Sequence, residues 1–314
     1  MNRTACRLVL LLAASALLPA IAHAQAFRAY VASYGSDANP CTVAAPCRLL
    51  PAALNMIASG GEVWMLDSAN FNSGTVNVTK NVAIQAIPGQ VGSIVPFAAA
   101  PAMILAPGVV VSVRNVSMVT NATNPGTDAI QMTTGILSVE NSIFQVGNGY
   151  SAVVVNGQGR ASVHGAMFRG GSYGIYATEG ATVNVSSSKF VAIGAAGVYA
   201  TATNAFTTQV TVRNCDFADN PYTSVWAYTN PASASAAARI TVTESSITGS
   251  DYAVVASLDN AGSVIVSVGS SVISGNFYAL YQRGTGAVTE VMGDNVVRNN
   301  TANTSGTITT APRM

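Results

Sequence analysis

A short apolar phrase recurs along the chain at nearly constant intervals. It consists of an aliphatic residue, any residue, a second aliphatic residue, four further residues and then a large apolar one. The copies are VSVRNVSM at 111–118, LSVENSIF at 137–144, ASVHGAMF at 161–168, VNVSSSKF at 183–190 and VTVRNCDF at 210–217, with weaker copies ITVTESSI at 240–247, VSVGSSVI at 266–273 and TEVMGDNV at 289–296. The last residues of successive copies lie 26, 24, 22, 27, 30, 26 and 23 positions apart. A period of roughly 25 residues is typical of solenoids, in which each repeat stacks on the one before it.

A second alternating segment follows the phrase after a short turn. Its copies are SAVVV at 151, YGIYA at 173, AGVYA at 196, TSVWA at 223, YAVVA at 252 and YALYQ at 278. Glycine, asparagine, serine and aspartate fill the stretches between the two segments, and these residues favour turns. Because no helical periodicity intervenes, each repeat is read as strand, turn, strand, turn. The pattern predicts an all-β coil with an aliphatic interior and three parallel sheets outside, in which eight to ten coils about 4.8 Å apart form a rod of roughly 40 to 50 Å.

The segment before the regular repeats has a different pattern. Apolar residues recur there at helical spacing, namely Leu49, Leu50, Ala53, Leu54 and Ile57. We expect an amphipathic helix over Arg48–Ala58 that covers the open end of the apolar column, as terminal units of repeat proteins do. A helix lying on a membrane surface is the alternative. The chain is therefore divided into a cap at 27–61, a β-helix at 62–300 and a C-terminal tail at 301–314.

Two parts of the sequence resemble a known superfamily. The run PCRLLPAALNMIASGGEVWML, from Pro46 to Leu66, is similar to the capping entry of the right-handed parallel β-helix, or pectin-lyase-like, superfamily, and the GIYA and NSIF phrases are similar to its coil repeat. The resemblance covers about residues 30 to 300 and implies the fold. It does not choose an activity, since this fold hosts lyases, hydrolases, epimerases, phage tailspikes and adhesins.

The resemblance also implies what a catalytic member would need. Pectate-lyase-like enzymes use a calcium ion held by clustered carboxylates with an arginine base, and polygalacturonase-like enzymes use three aspartates that include an adjacent pair. The sequence contains no Asp-Asp pair. Asp216 and Asp219 are the closest acidic pair, and we favour polar turn and corner residues over catalytic ones as their interpretation. We expect no metal site and no cofactor.

The first residues of the chain form a secretory signal peptide. Arg3 and Arg7 precede an apolar run from Leu8 to Ala22, and Ala22-His23-Ala24 fits a cleavage site. We expect residues 1–24 to be removed and the protein to be exported to the periplasm or the extracellular space. No later stretch offers about 18 consecutive apolar residues, so we expect no transmembrane anchor after the signal.

Charge and cysteine content narrow the partners further. The chain has 14 basic and 13 acidic residues, and charged residues make up 9% of it. Such a composition gives no basic surface for a phosphate backbone, so nucleic acid is not an expected partner. Cys41 and Cys47 are close enough in sequence for a small disulfide in an oxidising compartment, although the sequence leaves their pairing open. Cys215 occupies a repeat position shared with small residues, which predicts a buried thiol.

One outward column of the first strands contains residues that could carry chemistry. Arg114, Glu140 and His164 follow the inward aliphatics on successive coils and should be neighbours. Such a trio could move a proton. A solvent-exposed ladder of charged groups is the simpler interpretation, and we favour it because no nucleophile or metal cluster accompanies the trio.

The second strands present an outward column rich in aromatic residues. Its members are Gln131, Val154, Tyr176, Tyr199, Trp226, Val255 and Tyr281. Aromatic rings pack on the C–H face of sugars while their polar groups and neighbours bond hydroxyls, so the column predicts a binding strip for polysaccharide at Tyr176, Tyr199, Trp226 and Tyr281. The alternatives are a ladder that only stabilises the sheet, and a strip covered by the 229–238 loop.

These features favour an exported, non-catalytic β-helix whose outer faces bind a polysaccharide or cell-surface glycan. A polysaccharide lyase or glycoside hydrolase with an atypical site is one alternative. An adhesin-like surface protein is the other. Oligomeric state is not predicted.

Overall fold

The computed structural model describes residues 25–96, 100–119, 127–230 and 233–311. The predicted signal peptide, residues 1–24, lies outside them. Within the described residues the chain winds as a right-handed parallel β-helix with three parallel sheets, here called sheets A, B and C. The predicted fold class is confirmed.

The strands of each sheet follow one another along the rod. Sheet A contains Ala26–Val31, Ile57–Met65, Val82–Ala86, Val110–Arg114, Ile136–Glu140, Arg160–His164, Thr182–Ser186, Thr207–Arg213, Ala237–Thr243, Ser263–Gly269, Ala287–Val291 and Ile308–Thr310. Sheet B contains Gly92–Ser93, Val116–Val119, Ile143–Val146, Met167–Gly170, Lys189–Val191, Asp216–Ala218, Ser246–Thr248, Val272–Ser274 and Val296–Arg298. Sheet C contains Val76–Val78, Met103–Leu105, Ile130–Met132, Ser151–Asn156, Tyr173–Thr178, Ala196–Ala202, Thr223–Thr229, Tyr252–Leu258, Tyr278–Arg283 and Ala302–Ser305.

The recurring phrase covers one strand of sheet A, a corner and one strand of sheet B. Its aliphatic residues face inward, as Val139 does between Val113 and Val163 of the adjacent coils. The large apolar residue that ends the phrase also faces inward. Phe144, Phe168, Phe190 and Phe217 stack with ring centroids 4.6 to 5.1 Å apart and their planes within 9° of parallel. These buried rings form one continuous column within the core.

The corner between sheets A and B explains the asparagines of the phrase. Asn115, Asn141 and Asn214 have φ of 55°, 48° and 52°, a left-handed conformation that asparagine tolerates better than most residues. The Asn214 amide also donates to Ser187 Oγ of the preceding coil at 3.2 Å.

The residue after this corner lies in a narrow slot. Ser188 Oγ donates to the carbonyl of Ser186 at 2.8 Å and accepts the backbone N–H of Ala166 at 3.1 Å. Cys215 occupies the same slot, is 1% exposed and places its sulfur 3.3 Å from the carbonyl oxygen of Arg213. Burial raises the pKa of the Cys215 thiol to about 11. The thiol is therefore buried, as the repeat position predicts.

The N-terminal segment closes one end of the rod. The helix, α1, spans Leu50–Met56, and Leu50, Ala53 and Leu54 are buried. It is shorter than the predicted Arg48–Ala58, because the chain turns into the strand Ile57–Met65 directly after Met56. Cys41 and Cys47 are joined in a disulfide with their Cα atoms 4.6 Å apart. The buried face of α1 packs the cap onto the first coils.

Both ends of the β-helix extend beyond the segment that the sequence predicts. Ala26–Val31 pairs with Ile57–Met65, so sheet A begins within the cap. Ala302–Ser305 and Ile308–Thr310 add a last strand to sheets C and A, where the sequence predicts a tail. The sequence does not predict these last strands, because their side chains are mostly polar and show no apolar alternation. None of the described residues forms a helix long and apolar enough to cross a membrane.

Candidate functional site

The outward column of sheet C runs along the rod as predicted. Backbone pairing places its members in register, one per coil, in the order Gln131, Val154, Tyr176, Tyr199, Trp226, Val255 and Tyr281. Their inward neighbours Val153, Ile175, Val198 and Val225 are fully buried, which fixes the direction of the column. Because successive side chains of a strand point to opposite faces, these inward aliphatic residues place the aromatic residues that follow them on the outer face of sheet C.

The aromatic rings of the column pack against one another and do not form a flat strip. The Tyr176 and Tyr199 rings lie 5.2 Å apart with planes tilted by 49°, and Tyr199 meets Trp226 edge-on at 5.0 Å. Tyr199 is only 7% exposed, whereas Tyr176, Trp226 and Tyr281 are half-buried. Tyr199 consequently acts as support for its neighbours, and the accessible ring surface lies on either side of it.

A second set of aromatic residues lies beside the predicted column. Tyr173, Tyr252 and Tyr278 begin their strands and contact the column, as when the Tyr252 ring meets Tyr281 edge-on at 5.0 Å. Tyr222, which is 45% exposed, bridges Trp226 at 6.0 Å and Tyr252 at 5.5 Å. Together the two sets form one aromatic cluster over several coils.

Strict alternation would place these strand-initial tyrosines inside the core, and that is why the sequence did not reveal them. The residue after Tyr173 is Gly174, which faces the core instead. A Cβ on Gly174 would lie 2.7 Å from the ring of Phe190. The backbone therefore places two successive residues, Gly174 and Ile175, on the inner side and turns Tyr173 outward. A small residue directly after the tyrosine that begins a strand is therefore the sequence signal for this departure from strict alternation.

A groove opens in this cluster at the coils that follow Tyr199. It encloses about 380 Å³ and is lined by Tyr222, Thr223, Trp226, Tyr228, Tyr252, Val255, Ser257, Tyr281 and Arg283. Of the four residues predicted to bind ligand, Trp226 and Tyr281 line this groove, and Tyr176 and Tyr199 do not. The groove is open to solvent along sheet C.

Polar groups of fixed orientation border the aromatic surface. Tyr228 donates from its hydroxyl to Asp259 Oδ2 at 3.1 Å, and Arg283 Nη2 reaches Asp259 at 3.0 Å. The Arg283 and Asp259 side chains remain 53% and 40% exposed. One edge of the groove thus carries donors and acceptors within reach of a bound molecule.

Four tyrosines of sheet C have a pKa above that of a free phenol. Burial raises the pKa of Tyr173, Tyr176 and Tyr199, in each case as the largest cause. Burial also raises the pKa of Tyr228, and its hydrogen bond to Asp259 adds to the effect. These hydroxyls therefore remain hydrogen-bond donors at neutral and moderately alkaline pH.

The trio Arg114, Glu140 and His164 lies on sheet A, away from the groove. Pairing places the three side by side on successive coils, as predicted. Arg114 forms an exposed ion pair with Glu140 at 2.6 Å, and His164 Nδ1 lies 3.0 Å from Ser186 Oγ on the following coil. This arrangement is a ladder of partnered side chains on an open sheet.

Asp216 and Asp219 are separated by the geometry of sheet B. Asp216 points outward and lies 3.9 Å from Lys189 Nζ of the preceding coil. Asp219 follows the strand at a corner, with φ of 54°. The ion pair accounts for Asp216 and the corner position accounts for Asp219, without a catalytic role for either. Across the described residues, no three histidine, cysteine, aspartate or glutamate side chains are grouped so as to hold a metal ion.

Comparison with known families settles the class of the protein. The family profile for the right handed beta helix region matches residues 108–277, which is more than half of the chain. The chain belongs to this right-handed β-helix family. The matched residues include the outward column from Gln131 to Val255, whereas the groove-lining residues Tyr281 and Arg283 lie beyond the match.

Solved structures with the same architecture are distant in sequence. The complex of XylC with xylose has 8% identity and a TM-score of 0.57, covering 87% of this chain and 69% of that chain. The GH136 lacto-N-biosidase from Eubacterium ramulus has 11% identity and a TM-score of 0.50, covering 90% of this chain and 67% of that chain. These similarities show the fold alone. No curated protein matches the β-helix chain.

Proposed function

We propose that this β-helix protein is exported, is non-catalytic and binds carbohydrate in the groove of sheet C. The observation that carries the proposal is the groove itself, in which the rings of Tyr222, Trp226, Tyr252 and Tyr281 lie beside Arg283, whose guanidinium pairs with Asp259. The ligand is a polysaccharide or a cell-surface glycan.

The chemistry of a sugar ring matches this surface. A pyranose has an apolar C–H face and an equatorial rim of hydroxyls, so it binds best where aromatic faces adjoin fixed polar groups. The Trp226 indole is held in place by its hydrogen bond to Ser257, and the Tyr228 hydroxyl by its bond to Asp259. Side chains already fixed in the free protein lose less conformational entropy when a ligand binds.

The positions of the catalytic candidates support a binding role over catalysis. Arg114, Glu140 and His164 lie on sheet A, and Asp216 lies on sheet B with Lys189. Glycoside hydrolysis normally requires two carboxylates on either side of the bond to be cleaved. None of these candidates lines the groove.

Two further observations support export and a carbohydrate ligand. The disulfide between Cys41 and Cys47 is a bond that persists in oxidising compartments outside the cytoplasm. Among the proteins of similar fold, one is described as a complex with xylose and another as a lacto-N-biosidase. Carbohydrate is therefore a ligand class that this architecture accommodates.

Affinity electrophoresis in gels containing xylan, β-glucan, galactan or polygalacturonate tests the proposal. We expect at least one polymer to retard the wild-type protein. W226A and Y281A should each weaken that retardation by about tenfold or more, since each removes a large apolar contact. Y34A is the matched control, because Tyr34 is 72% exposed and lies in the N-terminal cap. Unchanged retardation in folded W226A and Y281A would contradict the groove as the site.

A product screen tests the non-catalytic part of the proposal. The protein is incubated with the same four polymers, and reducing ends and the absorbance of unsaturated products are followed. We expect neither to rise above a heat-inactivated control. Reproducible products that disappear in W226A would instead make the groove the active site of a lyase or hydrolase.

A further inference from the structure

The groove has a charged pair at its edge, Arg283 and Asp259. Among the described residues that line it, Arg283 is the one cation. This guanidinium is not free, because Nη2 lies 3.0 Å from both Oδ1 and Oδ2 of Asp259. The net charge of the pair is zero, so a ligand carboxylate would have to compete with Asp259 for Arg283.

A second carboxylate adds negative charge at the other side of the cluster. Asp251 directly precedes Tyr252, whose ring contacts Tyr222, Tyr278 and Tyr281. Burial raises the pKa of Tyr252, and the neighbouring phenols and the charge of Asp251 contribute in the same direction. Asp251 thus places a carboxylate directly before a groove-lining strand, while the Arg283–Asp259 pair leaves the one cation of the described lining already neutralised.

We infer that the groove selects neutral glycans and disfavours acidic ones. The inference rests on the proposed function and specifies its ligand class. Asp259 accepts hydrogen bonds from sugar hydroxyls, and Arg283 donates to hydroxyl or ring oxygens with the N–H groups that Asp259 does not engage. A uronic acid beside Arg283 would bring its carboxylate towards Asp259, which already pairs with that cation, and repulsion between like charges lowers its affinity.

The wild-type protein alone provides the first test. Isothermal titration compares neutral xylo-oligosaccharides, cello-oligosaccharides and galacto-oligosaccharides with oligogalacturonides of equal length at low and high salt. We expect at least one neutral series to bind about tenfold more tightly than the acidic series, with little dependence on salt. Tighter binding of oligogalacturonides would overturn the inference and leave the proposed function standing. Binding of none of these probes would overturn both.

The variant D259N separates the charge from the shape of the groove. It removes the negative charge, releases Arg283 and keeps the side chain's size. We expect the affinity for the best neutral ligand to fall several-fold and that for oligogalacturonides to rise several-fold, so that the preference narrows or reverses. D216N is the matched control, since Asp216 pairs with a cation on sheet B outside the groove. Far-ultraviolet circular dichroism verifies the fold. An unchanged preference in folded D259N would contradict the role of Asp259.

Discussion

The indole nitrogen of Trp226 donates a hydrogen bond of 2.8 Å to the hydroxyl of Ser257 on the next coil of sheet C. Ser257 is 2% exposed and belongs to the groove wall, so this part-buried bond fixes the plane of the indole at the groove. The ring edge that carries the N–H faces the protein, and the ring borders the groove. The same side chain thus contributes to the packing of sheet C and to the wall of the groove.

The variant S257A should weaken both stability and glycan binding. It leaves the part-buried indole N–H without its partner, which costs about 1–3 kcal/mol of unfolding free energy. Urea unfolding measures the first effect and affinity electrophoresis the second. S138A, which changes a half-buried outward serine on sheet A, is the control and should alter neither by a comparable amount. Normal stability and binding in S257A would show that the hydrogen bond does not position Trp226.

The phenylalanine column should dominate the stability of the central coils. Phe190 is fully buried, with Phe168 at 4.6 Å and Phe217 at 4.7 Å on either side. We expect F190A to lower the unfolding free energy by about 3–5 kcal/mol, because it leaves a cavity and removes two ring contacts. F206A, at a site that is 39% exposed, should cost far less. Equal losses in the two variants would contradict the account of the core.

Gly197 should resist even the smallest substitution. A Cβ there would lie 2.8 Å from the backbone oxygen of Ser224 and 2.9 Å from the ring of Phe217. We expect G197A to cost about 1–3 kcal/mol through overpacking, measured by chemical denaturation. Gly74 has open space around its Cβ position, so G74A should change stability by no more than about 0.5 kcal/mol. If G197A is as stable as G74A, the tight contact with the phenylalanine column is not a constraint.

The thiol of Cys215 should be inert in the folded protein. It is 1% exposed, and burial raises its pKa to about 11, so little thiolate forms at neutral pH and reagents cannot reach it. Protein that lacks residues 1–24, and with them Cys6, keeps Cys215 as its one unpaired cysteine, so Ellman's reagent at pH 8 should release no thionitrobenzoate until denaturant is added, and then about one equivalent. Rapid labelling without denaturant would contradict the buried slot.

Sequence reasoning was most reliable where one residue type recurs in every coil. The inward aliphatics such as Val198 and Val225 determine the register of sheet C, and the outward positions of Tyr199 and Trp226 follow from them. The burial of Tyr199 could not be predicted, because it depends on rings from adjacent coils and on Tyr173, which contacts it at 5.1 Å.

The groove itself required the three-dimensional structure. Tyr252 begins its strand at a position that simple alternation assigns to the core, and its neighbour Tyr222 lies in a turn. Asp259 and Arg283 are 24 residues apart in sequence, and stacking of consecutive coils brings them into contact. Polar pairs of this kind leave no periodic pattern in a single sequence.

Fluorescence of Trp226 tests the central claim most directly. The chain contains two tryptophans, Trp64 and Trp226, so W64F leaves Trp226 as the sole indole emitter. A folded W64F protein is titrated with the glycan that retards it most strongly in gels. The account predicts a saturable change in Trp226 emission, with the affinity found by calorimetry, that is reduced about tenfold or more in W64F/Y281A. Calorimetric binding of that glycan with no change in Trp226 emission, or with full affinity in W64F/Y281A, would contradict it.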